Sequence, residues 1–132
     1  MIVLDTHAWV WWLDDPRKLP ARARKAVNEA AADEAVYIST ISTWEIMLLA
    51  SGGRLEFRMD ARDWISRSEA LPFIHFVPVD NPIAIRSVRL PGSFHKDPAD
   101  RIILATAMTM GAPVVSSDSR IKEYSHVKSI WK

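Results

Sequence analysis

The sequence lacks cysteine altogether and has only four glycines among its 132 residues. Without cysteine, a disulfide scaffold, a thiol nucleophile and a cysteine-ligated zinc or iron–sulfur centre are all excluded. A reducing compartment is compatible with this composition, and we expect a cytoplasmic protein. The glycines form neither of the phosphate-binding motifs GxGxxG and GxxxxGK[ST], which argues against the common nucleotide-binding enzymes; they are Gly52, Gly53, Gly92 and Gly111.

Long apolar runs and a strong net charge are missing as well. The longest stretch without a charged residue, from Ile102 to Ser117, is shorter than the roughly 20 apolar residues of a membrane helix. The apolar run at residues 2–4 meets Asp5 at once, unlike a signal peptide, so we expect the chain to begin inside the fold. We therefore expect no membrane partner. Because the net charge is only +1, a nucleic-acid partner would have to be bound by a local patch.

The composition and the pattern of the chain predict one α/β domain spanning residues 1–132. Hydrophobic residues make up 48% and charged residues 25%, as in ordinary globular proteins. Short β-rich runs alternate with helical patterns, which favours a three-layer α/β/α domain with a central parallel sheet. We predict strands at residues 2–4, 36–38, 76–79, 114–115 and 127–131, and helices at 6–13, 20–32, 42–49, 60–71, 81–90, 97–111 and from 118.

Several acidic residues lie near the ends of the predicted strands. Asp5 follows the first strand, Glu45 lies at the start of the helix after the second, and Asp118 follows the fourth. Parallel strands end at one edge of the sheet, where open α/β proteins bind their ligands. Asp97 and Asp100 open a helix that reaches this edge only if the preceding loop returns there, which we assume. The sequence thus predicts an acidic cluster at one edge.

Such a cluster needs a cation. At about 4 Å and an effective dielectric near 20, each like-charge pair costs about 4 kcal/mol. Either some carboxylates are protonated or a metal ion neutralises them, and an all-oxygen set suits Mg²⁺ or Mn²⁺. These ions organise the attack of water on a phosphodiester, which gives nuclease activity as the hypothesis.

Each acid also has an ordinary structural interpretation. Taken alone, Glu45 fits a capping box with Ser42 better than it fits a metal site. Asp97 and Asp118 are good N-caps, and the dipole of the helix favours Asp100 in its first turn. Asp5 lacks such an obvious role, although an Asx turn would supply one. Only the convergence of these acids separates the two interpretations.

Four segments together resemble the PIN-domain family, and more closely its VapC-type toxins. They are Asp5-Thr6 after the first strand, Ser42-Thr43-Trp44-Glu45-Ile46 at a helix start, Asp97-Pro98-Ala99-Asp100-Arg101 with Ile103 and Ala105-Thr106-Ala107 behind it, and Val115-Ser116-Ser117-Asp118. The resemblance covers nearly the whole chain. It implies an endoribonuclease in which Asp5, Glu45, Asp100 and Asp118 bind Mg²⁺ or Mn²⁺ and Asp97 is auxiliary. It also implies an RNA substrate, a homodimer and a cognate antitoxin.

Other residues are assigned on weaker grounds. Ser116 stands where threonine is usual in this family, and its hydroxyl can make the same hydrogen bond. We assign substrate binding to five residues: Thr6, His95, Lys96, Arg101 and Ser116. Arg101 could instead pair with Asp97, and Arg54, Arg89 and Arg120 are further candidates for drawing in a polyanion. Solvated surface charge is the ordinary alternative for each of the basic residues, His95 included.

The tryptophans at 9, 11 and 12 point around their helix, so they pack in the core or form part of an antitoxin groove. A phosphoacceptor receiver domain would need paired acids after the first strand and a late lysine, which this sequence lacks. A PIN-like RNA-processing nuclease without a toxin role, and a non-catalytic RNA- or protein-binding module, stay open.

Overall fold

Five short strands form one parallel sheet in the order β3-β2-β1-β4-β5. The computed structural model describes residues 1–132. The strands are Ile2–Leu4 (β1), Val36–Ser39 (β2), Ile74–Val77 (β3), Val114–Val115 (β4) and Ser129–Ile130 (β5). Val3 of β1 lies opposite Tyr37 on one side and Val114 on the other. The predicted parallel sheet is confirmed, although β3 begins two residues earlier than expected.

Seven α-helices cover the two faces of this sheet. They are Thr6–Asp14 (α1), Ala21–Ala32 (α2), Thr40–Ser51 (α3), Ala61–Glu69 (α4), Asn81–Val88 (α5), Pro98–Met110 (α6) and Ser119–Glu123 (α7). A 3₁₀ turn at Pro16–Lys18, which the sequence did not predict, follows α1. None of the helices is long and apolar enough to cross a membrane.

In three helices the N-cap lies before the first residue of the predicted range. Asp5, not Thr6, caps α1, and Asp80, not Asn81, caps α5. Ser39 caps α3 by accepting the N–H of Ile41 at 3.2 Å, although Ser42 was expected in that role. Ser39 is also the last residue of β2, so the strand passes directly into the helix. The predicted start of α3 was therefore wrong by about one turn.

Hydrophobic cores lie on both sides of the sheet, which confirms the three layers. Ile2, Leu4, Trp9, Val27 and Trp64 belong to one core. The other contains Val3 and residues of α5, α6 and α7, among them Ile83, Ile103, Leu104 and Ile121. Neighbouring residues of β1 thus point into opposite layers, as the alternation of a strand requires.

The tryptophans of α1 belong mainly to the first core. Trp9 is fully buried and packs against Trp64 and Phe76. Trp11 and Trp12 are partly buried against the same core, and Trp12 Nε1 donates to Asn28 Oδ1 at 3.1 Å. Core packing is therefore confirmed for Trp9. The large exposed apolar side chains of the protein lie elsewhere, mostly on α3 and α5.

The strand order creates a crevice beside β1. From β1 the chain moves outward through β2 and β3, and it then returns to the other side of β1 to form β4 and β5. The connections that leave the carboxyl ends of β1 and β4 therefore diverge. In open α/β sheets such a switch point is where ligands bind.

Candidate active site

An acidic cleft of about 270 Å³ lies at this switch point. No hydrophobic residue lines it; the lining residues are Asp5, Thr6, His7, Glu45, Asp97, Asp100, Ser117, Asp118 and Arg120. The structure thus places all five acids of the predicted cluster in one cleft. The loop at residues 89–97 returns the chain from the end of α5 to this edge, so the assumed position of Asp97 and Asp100 is also met.

Three of the acids cap helices whose N-termini point into the cleft. The Asp5 carboxylate accepts the N–H of Ala8 at 2.9 Å, and Asp97 accepts that of Asp100 at 3.1 Å. Asp118 accepts the N–H of Arg120 at 2.8 Å. The partial positive charge of each helix N-terminus favours the ionised carboxylate. The N-caps predicted at Asp97 and Asp118 are therefore confirmed, whereas the capping role of Asp5 was not predicted, and all three caps hold their carboxylates at the cleft.

Glu45 has no capping role, because α3 begins at Thr40 and Glu45 lies in its second turn. Its Oε1 lies 2.5 Å from the hydroxyl of Thr6, and this hydroxyl lies 2.9 Å from Oγ of Ser42. Since a hydroxyl has one hydrogen, Thr6 donates it to the carboxylate and accepts from Ser42. The capping-box interpretation of Glu45 and Ser42 was wrong. We had assigned Thr6 to substrate binding. Its hydroxyl is instead engaged by Glu45 and Ser42 and is not free to bind substrate.

Burial and mutual repulsion raise the pKa of three acids of the cleft, Asp5, Glu45 and Asp100, whereas that of Asp118 is lowered. Burial, followed by the charges of Asp97, Asp118, Glu45 and Asp5, raises the pKa of Asp100 to about 7. Burial also raises the pKa of Asp5 and of Glu45, although hydrogen bonds to each oppose the rise. The Arg120 guanidinium instead lowers the pKa of Asp118. The cleft therefore holds more negative charge than its own groups neutralise.

His95 adjoins the cleft and is not solvated, contrary to the ordinary alternative. Its Nδ1 accepts the N–H of Asp97 at 3.3 Å, which leaves the hydrogen of the neutral ring on Nε2. Nε2 lies 3.1 Å from Oδ2 of Asp100, but without the alignment of a good hydrogen bond. Only 19% of the His95 side chain is exposed. The Nε2 N–H therefore lies next to Asp100 but has no hydrogen-bond partner.

Arg101 has a structural role, which fits neither its assignment to substrate binding nor the alternative of a pair with Asp97. Its guanidinium donates to four backbone carbonyls, those of Ser87, Val88, Phe94 and His95. These contacts join the end of α5 to the loop at 89–97, so the guanidinium does not face the cleft as a substrate contact. Lys96 is exposed and does not line the cleft.

Ser116 makes the hydrogen bond expected from its position before the fourth acid, but it does not line the cleft, which does not fit its assignment to substrate binding. It is buried, and its hydroxyl accepts the N–H of Asp118 at 3.0 Å. The same hydroxyl opposes the rise in the pKa of Asp5. Ser116 therefore supports two acids at once, and it does so from below the cleft and not as a surface that meets substrate.

A family model described as "PIN domain" matches residues 2–127. The chain belongs to the PIN-domain family. This PIN domain is 31% identical over 132 residues to Ribonuclease VapC22 of Mycobacterium tuberculosis, with 98% of each chain covered. The resemblance inferred from the four acidic segments is thereby confirmed.

Solved structures of the same fold include toxin–antitoxin complexes. VapBC2 from Rickettsia felis, bound to a DNA fragment from its promoter, matches this PIN domain with a TM-score of 0.71, 14% identity and 100% of each chain. DNA-bound VapBC from Salmonella typhimurium matches with a TM-score of 0.70 and 17% identity, over 98% of this chain and 96% of the other. At these identities the match establishes the three-layer fold.

The donor groups of this PIN domain fit a hard divalent cation. The cleft offers five carboxylates and no sulfur, a set that suits Mg²⁺ or Mn²⁺ better than zinc. One ligand atom each from His95, Asp100 and Asp118 lie within 4.8 Å of one another. Because the hydrogen of His95 lies on Nε2, which faces the acids, the carboxylates are the better ligands.

The position of the Arg120 side chain among the acids was not predicted from the sequence. It was one of several candidates for attracting a polyanion, yet it contacts the acids themselves: its Nη2 lies 2.9 Å from Asp118 Oδ2 and 3.8 Å from Asp100 Oδ2. The available signal was its spacing, two residues after an N-cap aspartate, which allows a side chain to fold back onto the cap.

Proposed function

We propose that this protein is a divalent-metal-dependent endoribonuclease and the toxin of a toxin–antitoxin pair. Asp5, Glu45, Asp100 and Asp118 hold Mg²⁺ or Mn²⁺, and Asp97 is an auxiliary acid. The observation that carries the proposal is the gathering of five carboxylates in one cleft at the switch point of the sheet. The 31% identity to a protein named as a ribonuclease supports the nuclease chemistry.

The residues of the chain prepare the cleft for this chemistry. When bound, the cation activates water and stabilises the leaving oxygen of the phosphodiester. Thr6 fixes the position of Glu45, while backbone N–H groups fix Asp5, Asp97 and Asp118. Carboxylates held in this way need little rearrangement to receive a cation. Burial and then the neighbouring acids raise the pKa of Asp100 to about 7, and a cation held beside it would favour its ionised form.

An antitoxin partner and a homodimer belong to the same proposal. The structural neighbours whose names include a VapBC or toxin–antitoxin complex support a protein partner. Large apolar side chains are exposed on α3, at Trp44, Met47 and Leu48, and on α5, at Ile85 and Val88. Exposed apolar groups of this size are typical of interaction surfaces. These helices, and not the tryptophans of α1, are the better candidates for contact with a partner.

The nuclease proposal is tested by incubating the purified chain with single-stranded RNA and Mn²⁺ or Mg²⁺. We expect cleavage that stops when EDTA is added. Asp5→Asn removes a charge from the cleft but keeps an N-cap, since asparagine caps as well as aspartate. This variant should fold and should not cleave. Asp63→Asn, an exposed acid in the first turn of α4, is the matched control.

Three outcomes separate the alternatives. Cleavage that persists in EDTA contradicts the metal-dependent mechanism. Binding of RNA without cleavage, under conditions in which Mn²⁺ binds, favours a non-catalytic binding module. Cleavage without growth arrest upon expression in bacteria favours an RNA-processing nuclease, whereas arrest that is relieved by the product of a neighbouring reading frame supports a toxin.

A further inference from the structure

Arg120 is the only lysine or arginine among the residues that line the acidic cleft. Its Nε and Nη2 contact the two carboxylate oxygens of Asp118 at 3.2 and 2.9 Å. Nη2 also lies 3.8 Å from Asp100 Oδ2, and Nη1 lies 3.4 Å from Nδ1 of His95. The guanidinium therefore lies between the acids that are proposed to bind a cation.

The contacts that hold the Arg120 guanidinium in the cleft are reversible. Its guanidinium contacts side chains only, and 56% of the side chain is exposed to solvent. Arg101, by contrast, is held by four backbone carbonyls. Ion pairs that face solvent contribute little free energy, so a divalent cation that contacts several carboxylates at once has the advantage.

A second cavity gives the displaced side chain a place to go. This cavity of about 390 Å³ adjoins the acidic cleft: Arg120 lines both, and His95 lines the second cavity. Glu123 lines the cavity as well and follows Arg120 by three residues on α7. Side chains at this spacing on a helix are neighbours and form ion pairs. Arg120 thus has an alternative carboxylate partner outside the cleft.

We propose that Arg120 is an internal counter-ion that occupies the cation position between Asp100 and Asp118 and exchanges with the divalent metal ion. In the metal-free state it neutralises part of the cleft. When the metal ion binds, the side chain moves into the adjoining cavity and pairs with Glu123. The inference rests on the proposed metal site, and it makes Arg120 a competitor of the metal ion.

Competition between Arg120 and the metal ion would change the apparent dissociation constant of the metal ion by a measurable factor. The apparent dissociation constant equals the intrinsic one divided by the fraction of molecules in which the site is open. If Arg120 occupies the site in about nine molecules of ten, its removal tightens metal binding about tenfold. Glu123→Gln removes the alternative partner of Arg120, which lowers the fraction of molecules with an open site, and should therefore weaken metal binding.

The test is calorimetric titration of the full chain with Mn²⁺, together with the signal of free Mn²⁺ in electron paramagnetic resonance. The variants are Arg120→Gln, Glu123→Gln and Lys122→Gln, the last being an exposed cation on the same helix that controls for net charge. We expect binding about tenfold tighter than wild type for Arg120→Gln, weaker binding for Glu123→Gln, and a change within about twofold for Lys122→Gln. Arg120→Gln should also enlarge the rise in melting temperature on addition of Mn²⁺.

The outcomes distinguish failure of this inference from failure of the proposed function. If wild type binds Mn²⁺ and Arg120→Gln binds it equally or more weakly, Arg120 is not a competitor and the exchange is refuted. If Lys122→Gln tightens binding as much as Arg120→Gln, the effect is one of net charge and the exchange is likewise refuted. If wild type binds no Mn²⁺, the metal site itself fails, and the proposed function with it.

Discussion

The raised pKa of Asp100 predicts that replacing it stabilises the metal-free protein. Its carboxyl ordinarily titrates near 3.8, and burial and four neighbouring acids raise the pKa to about 7 in the fold. The ionised form is therefore disfavoured in the folded state. This cost is absent below pH 3.8, grows as the pH rises towards 7, and is complete above it. Asp100→Asn removes the cost while keeping the shape of the side chain.

The size of the stabilisation by Asp100→Asn follows from the pKa of Asp100 in the unfolded and the folded chain. The difference between 3.8 and about 7 corresponds to about 4 kcal/mol. The cleft is open to water, and screening reduces this to about 2 kcal/mol. In EDTA, Asp100→Asn should therefore be about 2 kcal/mol more stable than wild type at about pH 8 and nearly equal to it at about pH 4.

Urea unfolding in EDTA at the two pH values measures this effect. Asp63→Asn, an exposed acid outside the cleft, should change the free energy of unfolding by less than about 0.5 kcal/mol at either pH. Mn²⁺ at a hundredfold excess over its dissociation constant should stabilise wild type by about 2.7 kcal/mol and Asp100→Asn far less. A variant that is less stable than wild type at both pH values in EDTA would refute the reasoning, because Asp100 would then be a structural carboxylate.

Three further predictions concern other parts of the chain. Glu45→Gln keeps an acceptor for the Thr6 hydroxyl, so in EDTA it should unfold at nearly the wild-type urea concentration but should lose most Mn²⁺ binding and RNA cleavage. Arg101→Met leaves backbone carbonyls without donors and should cost about 3 kcal/mol in urea unfolding. Trp9→Ala should lower the free energy of unfolding by about 3–5 kcal/mol, because Trp9 is fully buried. Trp44 is 54% exposed, so Trp44→Ala should change this free energy by less than about 0.5 kcal/mol.

Each of these has an outcome that contradicts it. Cleavage at the wild-type rate by Glu45→Gln would remove Glu45 from the site. Arg101→Met with unchanged stability would mean that water replaces the guanidinium at the four carbonyls. A stable Trp9→Ala protein would contradict the assignment of Trp9 to the core.

The sequence predicted the parts of this fold that depend on local signals. Helix α6 was placed correctly because Asp97 and Pro98 begin a helix and Gly111 ends one; Gly111 has a left-handed φ of 65°. The convergence of Asp5, Glu45 and Asp118 followed from a general rule, that parallel strands end at one edge, whereas the position of Asp97 and Asp100 was assumed. Neither prediction needed knowledge of distant contacts.

The wrong predictions concern places where contacts between residues distant in sequence determine the local structure. Ser39 and Ser42 are equally good N-caps by themselves. The pairing of Ser39 with Val77 and the contact of Ser42 with Thr6 determine which of them begins α3. The role of Arg101 depends on a loop folding back over the end of α5, which no local pattern of sequence specifies.

The loop at 89–97 has a consequence for how activity can be lost. It carries Asp97 and leads into Asp100. It is held by two of the bonds of Arg101, to the carbonyls of Phe94 and His95, and by the Tyr124 hydroxyl, which donates to the carbonyl of Pro91 at 2.6 Å. Asp5 and Glu45 depend instead on the central strands. Local opening of the loop would displace Asp97 and Asp100, two of the five acids, and leave the sheet folded. Heat or mild denaturant should therefore inactivate the protein before it unfolds, and backbone amides of the loop should exchange with solvent sooner than those of β1 and β2.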